Sequence, residues 1–164
     1  VKKTHHILIL DTGPLWELVL YRAVNELGFE KLRPELSHLR TLSDYQRLSE
    51  FIAAFSRKIT TPQVVAEISA KIVRTEERGH GDLWGIIFNE FVSMGMDEAL
   101  IKLLEMAPED VAKYHAVDVS LLKLGESYDA GAPVVLSIDA SLITRCGRSG
   151  VKALDLWQAI AADS

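Results

Sequence analysis

Cysteine is nearly absent from this chain: Cys146 is the single one among 164 residues. An internal disulfide is therefore excluded, and the usage fits a reducing compartment. Long apolar runs are missing too. None reaches the roughly 18 residues that a membrane-spanning helix needs, so no membrane partner is expected. The opening stretch Val1-Lys2-Lys3-Thr4-His5-His6 leads straight into a strand and lacks the apolar core of a secretory signal, which makes a cytoplasmic location the expectation. The five histidines are scattered, with no spacing that resembles a zinc ligand set. Gly79-His80-Gly81 is too short to cradle a phosphate. Internal repeats, low-complexity stretches and linkers are also lacking. Basic residues are the minority, 18 against 23 acids, for a net charge of -5. That balance argues weakly against a protein that coats nucleic acid. Acids gathered around divalent cations would offset most of it.

What remains is the composition of an ordinary globular domain, 48% apolar and 25% charged, long enough for one core over residues 1–164. A strand is expected over 6–11. A helix opened by Pro14 and closed by Gly28 follows. Residues 29–44 give no clear signal. Helical spacing returns from Tyr45 to Phe55, a very short strand is expected at Ile59-Thr60-Thr61, and Thr61 then caps a helix starting at Pro62. That helix fades near 76–79. Residues 83–92 form another helix. Residues 99–106 fit either a buried strand or a helix. Pro108 opens a further helix, and 118–128 continues as helix. After a turn at Gly131-Ala132-Pro133, a second clear strand covers 134–138. A short helix spans 141–145, a last strand 151–156, and 157–162 is tail or helix. Strands alternating with helices imply an α/β fold with a central parallel sheet flanked by helices.

Four acids stand in unusual company. Asp11 ends the apolar run Ile7-Leu8-Ile9-Leu10, and Asp139 ends Val134-Val135-Leu136-Ser137-Ile138. Ligand sites of open α/β sheets lie beyond the carboxyl ends of such strands. Glu67, in Val64-Val65-Ala66-Glu67-Ile68, and Asp118, in Val117-Asp118-Val119, sit among apolar neighbours where an acid is rare unless paired or metal-bound. If the four converge, one pair about 4 Å apart costs roughly 4 kcal/mol at an effective dielectric near 20. Mg²⁺ or Mn²⁺ would remove that cost, and both prefer the all-oxygen set on offer. A bound ion would lower the pKa of a water, and a second would stabilise a leaving oxygen. The hydroxyls of Thr12 and Ser137 are placed to orient the acids from behind. Lys123 and Arg145 are candidate phosphate contacts. The remaining acids, Glu17, Asp44, Asp82, Asp97, Asp110 and Asp129 among them, read as caps or surface charge. Trp16, Trp84 and Trp157 read as core or interface anchors, and Cys146 as small buried packing.

The segments Leu8-Ile9-Leu10-Asp11-Thr12-Gly13-Pro14-Leu15, Thr61-Pro62-Gln63-Val64-Val65-Ala66-Glu67-Ile68, Val117-Asp118-Val119-Ser120-Leu121-Leu122 and Val135-Leu136-Ser137-Ile138-Asp139 together resemble the PIN-domain nucleases. The order Asp, Glu, Asp, Asp and the setting of each agree with that family. Ser141 stands where many members carry a further Asp, and the stretch 29–58 is longer than in a compact toxin. The resemblance implies a single PIN-like domain with an acidic pocket at the strand ends. It implies a Mg²⁺- or Mn²⁺-dependent endoribonuclease that hydrolyses RNA phosphodiester bonds. Many members are the toxin half of a toxin–antitoxin pair, so an antitoxin protein and a second copy in a homodimer are the implied partners. The alternative is a PIN-like binding or scaffold module with little turnover. An aspartyl-phosphate phosphatase would want an acid two residues beyond Asp11, where Gly13 stands.

Overall fold

A computed structural model describes residues 7–76, 83–102, 105–129 and 132–161. Its centre is a five-stranded sheet whose pairings are all parallel. The strands are β1 (Ile7–Leu10), β2 (Arg57–Thr60), β3 (Met96–Glu98), β4 (Pro133–Ser137) and β5 (Lys152–Asp155), in the spatial order β3-β2-β1-β4-β5. The helices are α1 (Thr12–Asn25), α2 (Leu42–Ala53), α3 (Pro62–Glu76), α4 (Leu83–Met94), α5 (Pro108–Tyr114), α6 (Ala116–Glu126), α7 (Ala140–Arg148) and α8 (Leu156–Ala161), with a 3-10 turn over Glu30–Glu35. This is the expected α/β architecture. Among the described residues no helix is long and apolar enough to cross a membrane.

The strand order decides where a ligand can enter. From β1 the chain steps outward to β2 and β3 on one side, then crosses to β4 and β5 on the other. Beyond the carboxyl ends of β1 and β4 the connections therefore diverge and leave a crevice. Leu10 pairs with Leu136, and the Asp11 N–H donates to the Leu136 carbonyl at 3.1 Å. Asp11 and Ser137 are thus neighbours at the mouth of that crevice. The strands behind them are fully apolar, with Leu8, Ile9, Leu10, Val134, Val135 and Leu136 all at 0% exposure. Burial on both faces is what lets these strands read as continuous apolar runs.

The differences from expectation have local causes. Helix α1 starts at Thr12, two residues before Pro14, because the Asp11 side chain accepts from the Thr12 N–H and acts as the cap. Pro14 then sits in the first turn, where its missing donor is no loss. Gly28 takes a left-handed φ of 76° just past the helix end, as its place in the sequence suggests. Helix α2 begins earlier than expected, at Leu42, because Thr41 and Asp44 form a reciprocal capping box. Strand β3 falls at Met96–Glu98, outside the ambiguous 99–106 window. Residues 99–102 take no regular structure, while residues 103–104, the 77–82 segment and Gly131 lie outside the described residues. Helix α7 runs on to Arg148, and the chain after β5 is helix rather than tail.

One close approach fixes the crevice. A Cβ added at Gly13 would stand 2.4 Å from Ile138 Cγ1, so the first turn of α1 lies against the turn after β4. A larger residue at position 13 would have to push the Ile138 side chain aside, so glycine suits the close approach of the two loops.

Candidate functional site

All four acids line one cavity of about 190 Å³ at the crevice, together with Thr12, Gly13, Lys71, Val117 and Ile138. Asp11 is the deepest, at 6% exposure. Its Oδ1 accepts from the Thr12 N–H at 2.6 Å, and its Oδ2 from the Ser137 hydroxyl at 2.5 Å. The same two residues reach the neighbouring acids. The Thr12 hydroxyl donates to Glu67 Oε2 at 2.9 Å, and the Asp139 N–H donates to Ser137 Oγ at 2.9 Å. Thr12 therefore ties Asp11 to Glu67, and Ser137 ties Asp11 to Asp139. These hydroxyls do hold the carboxylates from behind, as their sequence positions suggest.

Each acid is placed by a different element. Glu67 is half-buried on α3, and Asp118 is half-buried on α6. The two helices are pinned by a buried pair, Thr61 Oγ1 and Ser120 Oγ, 2.9 Å apart. Thr60, next to it, donates its hydroxyl to the Leu10 carbonyl at 3.0 Å and holds the end of β2 against β1. Asp139 departs from the expectation of a buried or half-buried acid. It is exposed, because it caps α7 with Oδ1 accepting from the Ser141 and Leu142 N–H groups at 2.6 and 3.3 Å.

Charge accumulates here. Burial raises the Asp11 pKa above its usual 3.8, against the pull of its two hydrogen bonds, and Glu67 and Asp139 add to the rise. Burial, then the charges of Asp139 and Asp11, push Asp118 up to about 6 despite Arg145 and His115 nearby. The Arg145 guanidinium lies 3.7 Å from Asp118 Oδ2 and packs over the Tyr114 ring at 3.6 Å. That position makes it a partner of Asp118. Its Nη1 is buried without a hydrogen bond, held at ion-pair range only.

The other candidate cation, Lys123, does not line the cavity. It pairs on the α6 surface with Glu126 at 2.9 Å. The cation that does line it is Lys71, which sequence reasoning passed over. Its signal was the spacing Glu67 to Lys71, one helical turn on α3. Thr61 and Ser120 also escaped notice as a pair.

The donor set is entirely oxygen, which suits Mg²⁺ or Mn²⁺. Burial, with like charges added to it, raises two pKa values here, and a cation would offset both effects. The spacing is open, however. Among the described residues no group of three or more histidine, cysteine, aspartate or glutamate side chains is arranged to hold a metal ion. A larger cavity of about 490 Å³ lies between α4 and β3, lined mostly by apolar residues such as Trp84, Phe88, Phe91 and Val92. Among the described residues its polar side chains are Thr60 and the edge acids Asp97 and Glu98, so the smaller cavity with four acids is the candidate site.

One further reading needs correction. Glu17 is no surface charge: it is 2% exposed and accepts from the Ser37, His38 and Leu39 N–H groups and the Ser37 hydroxyl at 2.6–3.0 Å. Those donors overcome the effect of burial and hold its pKa below the usual range. Trp16 is a core anchor at 8% exposure, whereas Trp84 and Trp157 stand 40% and 47% exposed. Cys146 is fully buried, and burial pushes its thiol up to about 11, far from a reactive thiolate.

Compared with family models, with curated proteins and with solved structures, the chain matches none.

Proposed function

We propose that the acidic cavity is the active centre of a PIN-like, Mg²⁺- or Mn²⁺-dependent ribonuclease. The single observation that supports the reading most is the gathering of Asp11, Glu67, Asp118 and Asp139 around one cavity at the diverging ends of β1 and β4. These four acids, far apart in the chain, occur in the order and settings of the resemblance described above. Their caps, hydrogen bond and ion pair place each acid singly and leave all four lining one cavity.

In this reading Asp11 and Asp139 would hold the ion directly, and Glu67 and Asp118 would complete its surroundings. When bound, the ion supplies an activated water and offsets charge on the phosphodiester. The protein residues supply the rest. Thr12 and Ser137 fix the rotamers of Asp11, Glu67 and the Asp139 backbone through the hydrogen bonds already formed. Asp118, raised to about 6 before any ion binds, would ionise beside the cation and complete the set of carboxylates. Asp139 is exposed and Glu67 half-buried, and both side chains would have to move for the four acids to share one ion.

The test is cleavage of an unstructured RNA in Mn²⁺ by the wild type, Asp11→Asn and Asp139→Asn. The expected outcome is that each substitution lowers the rate by at least about 100-fold, on the order of 3 kcal/mol of barrier. Undiminished cleavage in both variants would remove the site from consideration. The open carboxylate spacing favours a second reading, a PIN-like module that binds without turnover. In that case the wild type binds the same RNA and leaves it intact. The partnership with an antitoxin and the homodimer belong to the nuclease reading as proposals. Loss of growth inhibition on Asp11→Ala in expressing cells would support the toxin form.

A further inference from the structure

We infer that Lys71 is the residue that receives a phosphate of the RNA strand at the rim of the acidic cavity, with Arg74 receiving the next one along α3. The inference rests on the nuclease reading and assigns it a substrate path.

A cavity lined by four carboxylates repels a polyanion, so a strand that reaches it needs a fixed cation at the rim. Lys71 is the one cation among the described residues that line the cavity. Its natural partner is Glu67, four residues before it, in the orientation that favours an ion pair. That pair is not formed, because Glu67 turns its carboxylate to the Thr12 hydroxyl at 2.9 Å. The Lys71 ammonium stands instead 6.0 Å from the centre of the Trp16 ring. Its stem is half-buried, which limits where the charge can go. The other cation near the acids is committed: Arg145 faces Asp118 and packs on Tyr114.

Lys71 also belongs to a second, shallow cavity of about 130 Å³, lined by Trp16, Glu35, Arg74 and Thr75. It is therefore the divide between the acids and this outer hollow. Arg74, three residues on, lies on the same side of α3 and is exposed. A strand whose scissile phosphate lies among the acids can leave over Lys71 and pass its next phosphate to Arg74. Glu35 stands in the lining of the same hollow.

The experiment uses the Asp11→Asn protein, which keeps the RNA whole. A fluorescein-labelled oligouridylate is titrated into it across a series of salt concentrations. Lys71→Met preserves the apolar stem over Trp16 and removes the charge, so folding is retained. In that background Lys71→Met is expected to weaken binding about tenfold and to lower the log–log salt slope by about 0.7, one phosphate contact on a single strand. Lys71→Arg is expected to restore both to within about threefold of the parent, and Arg74→Ala to weaken binding about threefold. Unchanged affinity and slope in Lys71→Met would overturn the assignment. If wild-type protein also fails to cut the oligouridylate in Mn²⁺ and its melting is unmoved by the ion, the nuclease reading itself is overturned and the strand path with it. Cleavage by the wild type alongside normal binding by Lys71→Met sinks the lysine alone.

Discussion

Two buried carboxylates stand six residues apart around the start of α1, and the molecule treats them oppositely. Glu17 accepts four hydrogen bonds from the loop at 37–39 and is held ionised. Asp11 accepts two, faces other acids and is pushed toward its protonated form. Both are buried, at 2% and 6% exposed, and burial pushes both pKa values up; the donors around Glu17 outweigh that push, whereas the two at Asp11 do not, and Glu67 and Asp139 add to it. A carboxylate answered by donors fastens a loop. One surrounded by its own kind stores repulsion that a cation can relieve.

The largest effect expected from this contrast is on stability. Glu17→Ala leaves three backbone donors unanswered, at a cost of roughly 3 kcal/mol or more in urea unfolding. Asp11→Asn removes a strained charge and keeps an oxygen for the Thr12 N–H, so its stability should stay within about 1 kcal/mol of wild type. Comparable losses in the two variants would erase the distinction.

A smaller effect is expected at Asp118. Replacing it with asparagine relieves its repulsion with Asp139 and Asp11, and an amide oxygen can still face Arg145. The cation-free protein should melt higher at neutral pH, by roughly 2–4 °C for a gain on the order of 1 kcal/mol. Cleavage should fall at the same time, the usual trade between stability and function.

The smallest effect is on the pH profile. Asp118 is raised from 3.8 to about 6 in the folded state, so the folded protein holds the proton more tightly than the unfolded chain. Its contribution to stability is fully present below pH 3.8 and is lost as pH rises through about 6. Melting without divalent ions should therefore fall between these values. Mn²⁺ should flatten the fall, because a cation favours the ionised form. An Asp118→Asn protein should lack this component.

Much of the fold was legible because the decisive elements are extreme. Two apolar runs ending in Asp11 and Asp139 announce the paired central strands, and Thr61-Pro62 announces α3. Strand β3 was not legible. Met96-Asp97-Glu98 is a three-residue edge strand with two exposed acids, and it lacks the apolar alternation that marks a strand. The gathering of the acids was legible from their settings, but their individual states were not. Asp139 reads like Asp11, yet it caps α7 in the open. Glu17 reads like a surface acid, yet Pro14-Leu15-Trp16 before it and Leu18-Val19-Leu20 after it were a sign of burial. Its partners at 37–39 lie too far along the chain to be foreseen. Lys71 was hidden for the same reason: its meaning comes from Thr12 drawing Glu67 away.

The most direct measurement is anomalous diffraction from a crystal of this protein soaked in Mn²⁺. The account predicts a manganese peak inside the cavity, with Asp11 and Asp139 oxygens bound to it and no such peak in Asp11→Asn crystals. An empty cavity at saturating Mn²⁺, or ions seated only on surface acids elsewhere, would contradict it.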